Sequence, residues 1–328
     1  MPLYICLATR PPVWLDLRDS TVIYEVGDRQ VSRVGTHYIL KRTRNTGPSI
    51  EAATHRFIAA NTDVPVPRIH AEWLSRDRQY HFLLQQRMPG EALRDCWSRL
   101  SHAARISIAD QVADHMYTLS QFRSSKMQTV RPNPAPLINN RFVPTQVPYE
   151  RHLTDRHPHS TSSIFHVEFG PALKAAGVDP SLIRLARRTM PPCRDQLALT
   201  HCDLFTGNIM VDAARARVTA IIDWETAGYW PLWFQHARAT HGCDEEDCEW
   251  KWMLSRAHRR DIPHADHGRV WWDAVRALLR EPESTEGRDW LRLVRMYMKG
   301  EVGVEALRAY RELGVEGLAW GLAGLGLA

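Results

Sequence analysis

The stretch that most constrains this chain runs from Leu199 to Trp230. It reads Leu-Thr-His-Cys-Asp-Leu-Phe-Thr-Gly-Asn-Ile-Met-Val-Asp, then a short polar turn, then Ala-Ile-Ile-Asp-Trp-Glu-Thr-Ala-Gly. Its frame is His201-x-Asp203-x-x-x-x-Asn208, with Asp223 fifteen residues further on. Apolar Ile209, Met210 and Val211 follow the Asn, and apolar Ile221 and Ile222 precede the second Asp. Polar Asp212, Arg215 and Arg217 lie between them. Two apolar runs around a polar turn predict a β-hairpin, with a carboxamide at its entrance and a carboxylate at its exit. The two ends of a hairpin are close in space, so Asn208 and Asp223 can share a cation. Asp203 sits on the loop that feeds the hairpin.

Hard oxygen donors of this kind suit Mg²⁺. A further Asp at the mouth of the hairpin can orient an attacking hydroxyl and accept its proton. Together these are the requirements of phosphoryl transfer from a nucleotide, and the protein-kinase catalytic loop has this form. A plain hairpin with capping Asp and Asn is the bland alternative. The full frame, the hairpin pattern and Asp-Trp-Glu-x-Ala-Gly together favour the catalytic one.

The same residues make the stretch resemble the aminoglycoside phosphotransferase and choline-kinase-like superfamily, and most of all its fungal branch. The resemblance spans roughly residues 20–300 and is most specific at 199–230. It implies a two-lobed, protein-kinase-like α+β fold. Residues 1–88 would form an N-lobe, a small antiparallel sheet with one helix. Residues 89–328 would form a larger, mainly helical C-lobe. The implied activity is Mg²⁺-dependent transfer of the γ-phosphoryl of ATP or GTP to a hydroxyl of a small molecule. In that scheme Asp203 orients or deprotonates the hydroxyl, and Asn208 and Asp223 hold Mg²⁺. Lys41, braced by Glu51, contacts the phosphates. His201 braces the loop. Hinge backbone groups at residues 86–88, Gln86 and Met88 among them, meet the adenine edge. The family often has an acidic residue where Gln86 stands, which matters little if the backbone binds.

Val22–Val26, Gln30–Val34 and Tyr38–Lys41, separated by Gly27-Asp28 and Gly35, predict an antiparallel meander that ends on Lys41. Ser49 and Glu51 open a helix that Pro65-Val66-Pro67 cannot continue. Glu51 is therefore placed either to pair with Lys41 or merely to complement the helix dipole. A glycine-rich phosphate loop is absent, with Gly27 its only candidate. His81–Met88 holds a buried-strand pattern broken by Pro89-Gly90.

Ser101–Phe122 is an amphipathic helix with Ile106, Ala109, Ala113, Met116 and Leu119 on one stripe. It is expected beneath the catalytic hairpin. Residues 124–163 lack any period and predict a long surface loop, with the acceptor site as what it would cover. A second helix passes through Leu182, Leu185 and Ala186 and ends before Pro191-Pro192. Trp230, Trp233, Phe234, Trp250, Trp252, Trp271, Trp272 and Trp290 are expected to pack a helical C-lobe. The acidic run Asp244–Asp247 suits a helix N-terminus better than a cationic ligand.

Composition sets the outer bounds. With 328 residues, a net charge of +5 and a pI of about 9.0, the chain suits an anionic nucleotide. Its arginines are scattered, so no nucleic-acid partner is expected. No apolar run reaches about 18 residues, so no membrane span is expected, and no signal peptide is visible. The 6 dispersed cysteines argue against a disulfide scaffold and for a reducing, cytoplasmic setting. Cys243 and Cys248, with His236 and His241 nearby, fit no standard zinc spacing. Oligomeric state is not legible.

Two rivals differ in class. A protein Ser/Thr kinase usually has Lys two residues after its catalytic Asp, where Phe205 stands, and needs an Ala-Pro-Glu that this chain lacks after Asp223. A non-catalytic nucleotide- or partner-binding module would keep the fold but has no need for the intact set of Lys41, Asp203, Asn208 and Asp223.

Overall fold

The computed structural model describes residues 8–45, 49–130, 137, 159–193, 197–238, 243–258, 262 and 264–309. The meander forms as β1 (Ser20–Val26), β2 (Arg29–Val34) and β3 (Tyr38–Arg44). Val26 faces Arg29 across the Gly27–Asp28 turn. Gly27 has φ +56°, the left-handed conformation that a two-residue hairpin turn demands. Next comes α1 (Ile50–Asn61), whose first turn is capped by Ser49 Oγ accepting from Ala52 N at 3.3 Å. β4 (Ile69–Leu74) and β5 (Tyr80–Gln86) complete a five-stranded sheet in the order β1-β2-β3-β5-β4. Its small core is Val34, Leu40, Trp73 and Leu84, with Trp73 stacked on Phe82 at 5.3 Å. Edge strand β1 is exposed along its whole length, Val22, Ile23 and Tyr24 included.

The chain leaves the sheet through Pro89-Gly90. Gly90 has φ +90°, and a Cβ there would lie 2.2 Å from Val211 O. Only glycine lets the backbone pass so close to the later hairpin. β6 (Glu91–Ala92) and α2 (Leu93–Cys96) follow, then α3 (His102–Ser120), capped by Ser101. α3 packs against that later hairpin as expected, with Gln111 donating to Ala216 O at 2.8 Å and accepting from Val218 N at 2.9 Å. One stripe residue departs: Ile106 is exposed, and Ile108 and Val112 are buried instead. The buried arc is centred one position away, which leaves Ile106 at its margin in the first turns.

β7 (Arg123–Ser124) pairs with a later strand, and Met127 and Val130 are buried, so the expected loop is anchored at its start. Residues 131–136 and 138–158 lie outside the described ones. The loop expectation also runs too far, because α4 (Thr161–Ile164) already starts behind a Ser160 cap. A π-helical turn, Phe165–Phe169, leads into α5 (Gly170–Ala175), followed by α6 (Pro180–Thr189).

The motif stretch builds β8 (Leu197–Thr200), β9 (Ile209–Asp212), β10 (Arg217–Ile221) and β11 (Gly228–Pro231). β9 and β10 are the expected hairpin, flanked by β6. β8 lies between β7 and β11 in a separate small sheet. Helices α7 (Leu232–Arg238), α8 (Glu245–His258), α9 (Ala265–Arg280) and α10 (Thr285–Met298) complete the described chain. The expected tryptophans fill this part except Trp252, which is exposed under the Arg256 guanidinium at 4.7 Å. The Asp244–Asp247 run starts α8, with Asp244 Oδ1 accepting from Asp247 N at 2.8 Å. No helix among the described residues is long and apolar enough to cross a membrane.

Candidate active site

The loop between β8 and β9 presents Asp203. Its approach is strained: Cys202, just before it, has φ +66°, unusual for a side chain with a Cβ. His201 holds this loop to the far end of the hairpin. Its Nε2 bonds Ile222 O at 2.9 Å, and its Nδ1 accepts the Asp203 N–H at 3.1 Å. Burial pushes the His201 pKa down to about 4, so the ring is neutral and serves as a brace. Trp224 closes over it edge-on at 4.4 Å, and Thr226 Oγ1 donates to His201 O at 2.8 Å.

Asn208 and Asp223 are brought together as the hairpin reading required. Ile222 N donates to Asn208 O at 2.9 Å, zipping entrance to exit. Asn208 Nδ2 donates to Asp203 O at 2.9 Å, which leaves the carbonyl Oδ1 as the atom it can present to a cation. Asp223 has φ +65°, a conformation Asp tolerates better than most residues. Its carboxylate meets the N-terminal sheet: Lys41 Nζ lies 2.7 Å from Asp223 Oδ1 and 2.6 Å from Glu51 Oε1. Burial disfavours the Lys41 charge, but Glu51 and Asp223 together hold its ammonium above the ordinary lysine range. Burial likewise disfavours the Glu51 charge, and Lys41 and His55 outweigh it, holding its carboxyl well below the usual range. His55 sits one turn further along α1, its Nε2 3.6 Å from Glu51 Oε1 and its Nδ1 2.9 Å from Pro67 O. The helix-dipole reading of Glu51 is thus incomplete, because its side chain is buried in this cluster.

At the hinge, Gln86 N–H donates to Arg68 O at 2.8 Å and Arg87 N–H to His37 O at 2.7 Å. Gln86 therefore offers no free N–H, because β5 is an inner strand whose donors are spent on its neighbours. The Met88 N–H lies past the ladder and makes no backbone hydrogen bond among the described residues.

Sequence reasoning missed three charged residues here, and read a fourth, Asp247, only as part of an acidic helix start. Arg29 pairs with Glu225 and lies 3.9 Å from Asp223 Oδ2. Arg238, at the end of α7, lies 3.4 Å from Asp203 Oδ1 and donates to Cys202 O at 3.4 Å. Lys251 on α8 is buried near Asp247 and Asp203, and burial draws its pKa down to about 8. Asp247 turns inward, accepting from Thr206 N at 2.9 Å and Cys243 N at 3.1 Å. It buttresses the loop between Asp203 and Asn208. Arg29 directly follows the Gly27-Asp28 turn, and that adjacency is its one local signal. Arg238 and Lys251 come from later helices and carry no local motif.

No group of three or more His, Cys, Asp or Glu suited to a metal occurs among the described residues. Asn208 and Asp223 still fit Mg²⁺, which commonly takes one or two protein ligands and completes its shell with phosphate and water.

The profile of the phosphotransferase enzyme family matches residues 23–289. The chain belongs to that family. Among relatives of this phosphotransferase family member is the Clavilactone A biosynthesis cluster protein Y of Ampulloclitocybe clavipes. It is 27% identical over 195 residues, 52% of this chain and 47% of that protein, so the chain matches about half of the relative's length. Among solved structures, the apo form of a thermostable aminoglycoside phosphotransferase APH(4)-Ia is similar at 15% identity and a TM-score of 0.51. The match covers 87% of this chain and 95% of that one. A variant of the same enzyme with ADP and hygromycin B aligns at 14% and 0.52, again over 87% and 95%. The GDP and kanamycin complex of APH(2")-IIia aligns at 14% and 0.50, over 88% and 95%. These likenesses establish the fold, the α+β kinase-like arrangement the sequence led us to expect.

Proposed function

We propose that this chain is a Mg²⁺-dependent small-molecule kinase that transfers the γ-phosphoryl of ATP or GTP to a hydroxyl. One observation carries the reading. Lys41 Nζ bridges Glu51 and Asp223 at 2.6 and 2.7 Å, joining a sheet, a helix and a hairpin separated by up to 182 residues. A merely structural lysine has no need of two carboxylates from distant elements.

In this reading residues 1–88 are the nucleotide-side lobe and 89–328 the lobe that carries the chemistry. Lys41 exchanges its bond to Asp223 for the phosphates while Glu51 keeps its stem in place. Asn208 and Asp223 would hold Mg²⁺, which would supply neutralising charge to the phosphate tail. Asp203 orients the acceptor hydroxyl and takes its proton as the new O–P bond forms and the bond to the leaving nucleoside diphosphate breaks. His201, neutral and hydrogen-bonded on both nitrogens, keeps the loop in register. Arg238 steadies the Asp203 carboxylate from one side. The Met88 N–H donates to the base edge. The ADP and GDP complexes of structurally similar phosphotransferases support a nucleotide donor.

The test is nucleoside diphosphate release from ATP and from GTP, with and without Mg²⁺, across a panel of hydroxylated metabolites and aminoglycosides. Asp203→Asn should lower kcat by roughly 10²–10⁴-fold and leave the nucleotide KM nearly unchanged. A variant that keeps more than about half of wild-type kcat removes Asp203 from the reaction. Nucleotide binding with no turnover on any acceptor would favour the non-catalytic module.

A further inference from the structure

The β1–β2 turn, which in a kinase-like fold lies over the phosphates, is poorly equipped here. It has two residues, Gly27 and Asp28, and only one is a glycine. Asp28 adds a negative charge, which Arg44 meets at 3.3 Å. Such a turn offers few backbone donors to a triphosphate. The next residue is Arg29, the first of β2, and it reaches across to the catalytic segment. Its guanidinium bonds Glu225 and lies 3.9 Å from Asp223 Oδ2. Both carboxylates belong to Asp-Trp-Glu, almost 200 residues further along the chain. The Arg29 side chain is still 39% exposed, so it faces open space as well as the site.

We propose that Arg29 is a nucleotide-binding residue that takes the place of the missing glycine-rich loop and grips the phosphate tail. The inference rests on the kinase reading above. Without nucleotide, Arg29 is parked on Glu225 and Asp223. Carboxylate and phosphate offer a guanidinium the same fork of oxygens, so the side chain can exchange one for the other with little displacement. The exchange also frees the Asp223 carboxylate, which the metal needs. Lys41 and Arg29 then approach the phosphates from β3 and β2, on two adjacent strands.

The closing experiment separates this role from a surface ion pair. Affinities of ATP, GTP, adenosine and guanosine are measured by calorimetry, with and without Mg²⁺, for the wild type, Arg29→Ala and Arg29→Lys. Melting temperatures are recorded alongside. Arg29→Ala should weaken the preferred triphosphate by about tenfold or more and leave its nucleoside unchanged, with Arg29→Lys in between. If Arg29 only ties the hairpin to the catalytic segment, its loss uncovers Asp223 and Glu225, and triphosphate affinity stays the same or tightens. That result overturns the inference and leaves the kinase reading standing. A wild type that binds neither triphosphate overturns both.

Discussion

If Glu51 holds Lys41 in place, the two act as one unit and their losses will not add. The Lys41–Glu51 contact is 2.6 Å, with side-chain exposures of 13% and 9%. Removing one partner of a fully buried pair costs about 3–5 kcal/mol. Here the cost is smaller, because Lys41 keeps Asp223 at 2.7 Å and a little solvent reaches both groups. We expect Glu51→Ala to lower stability by about 2–3 kcal/mol. It should also reduce kcat/KM by roughly ten- to a hundredfold through a misplaced but intact lysine. Lys41→Ala should cost more activity, because the phosphate contact itself is lost. The double variant should be scarcely worse than Lys41→Ala alone, with a coupling of about 1–3 kcal/mol. The assay is a double-mutant cycle on kcat/KM, with denaturant unfolding measured on the same proteins. Strict additivity, with Glu51→Ala costing only about 0.3–1 kcal/mol of stability and no activity, would reduce Glu51 to a helix-dipole residue and refute the reasoning.

Three further outcomes follow from particular contacts. Asp223→Ala should abolish the Mg²⁺ dependence of nucleotide binding seen by calorimetry, and unchanged metal dependence would remove Asp223 from the metal site. Gly90→Ala drives a Cβ to 2.2 Å from Val211 O at φ +90°, where neither backbone can yield, so unfolding should be easier by on the order of 3 kcal/mol; a melting temperature within about a degree of wild type would show that the crossing gives way. His267 is buried with Nε2 at 2.8 Å from Thr189 O, and burial holds its pKa near 4 against an ordinary 6.5. Its contribution is therefore full above about pH 6.5 and is lost as the pH falls towards 4, a loss of about 2 kcal/mol by pH 5. His267→Gln should flatten this part of the stability–pH curve, and parallel curves would dismiss the group.

Local pattern alone specified the hairpin around Asn208 and Asp223, the meander ending on Lys41, and the helices capped by Ser49 and Ser101. Each is set by residues close in sequence, through alternation, turn chemistry or capping, so each is legible without the fold. The pairing of Lys41 with Glu51 was legible as one of two options, because the two residues are only ten apart in the chain. What the sequence could not decide was which charges meet across long separations. Arg29 reaches Glu225 and Asp223 only because the N-terminal sheet docks on the catalytic hairpin. Arg238 reaches Asp203, and Lys251 comes near enough to feel its charge, only because α7 and α8 pack behind the loop. Asp247, which reads as one of four acids at a helix N-terminus, is turned inward because the backbone N–H of buried Thr206 needs an acceptor where water is excluded, and it accepts from Cys243 N as well. Electrostatics in a site depends on distance through space and on exclusion of water, and both are settled when the elements pack, not when they form.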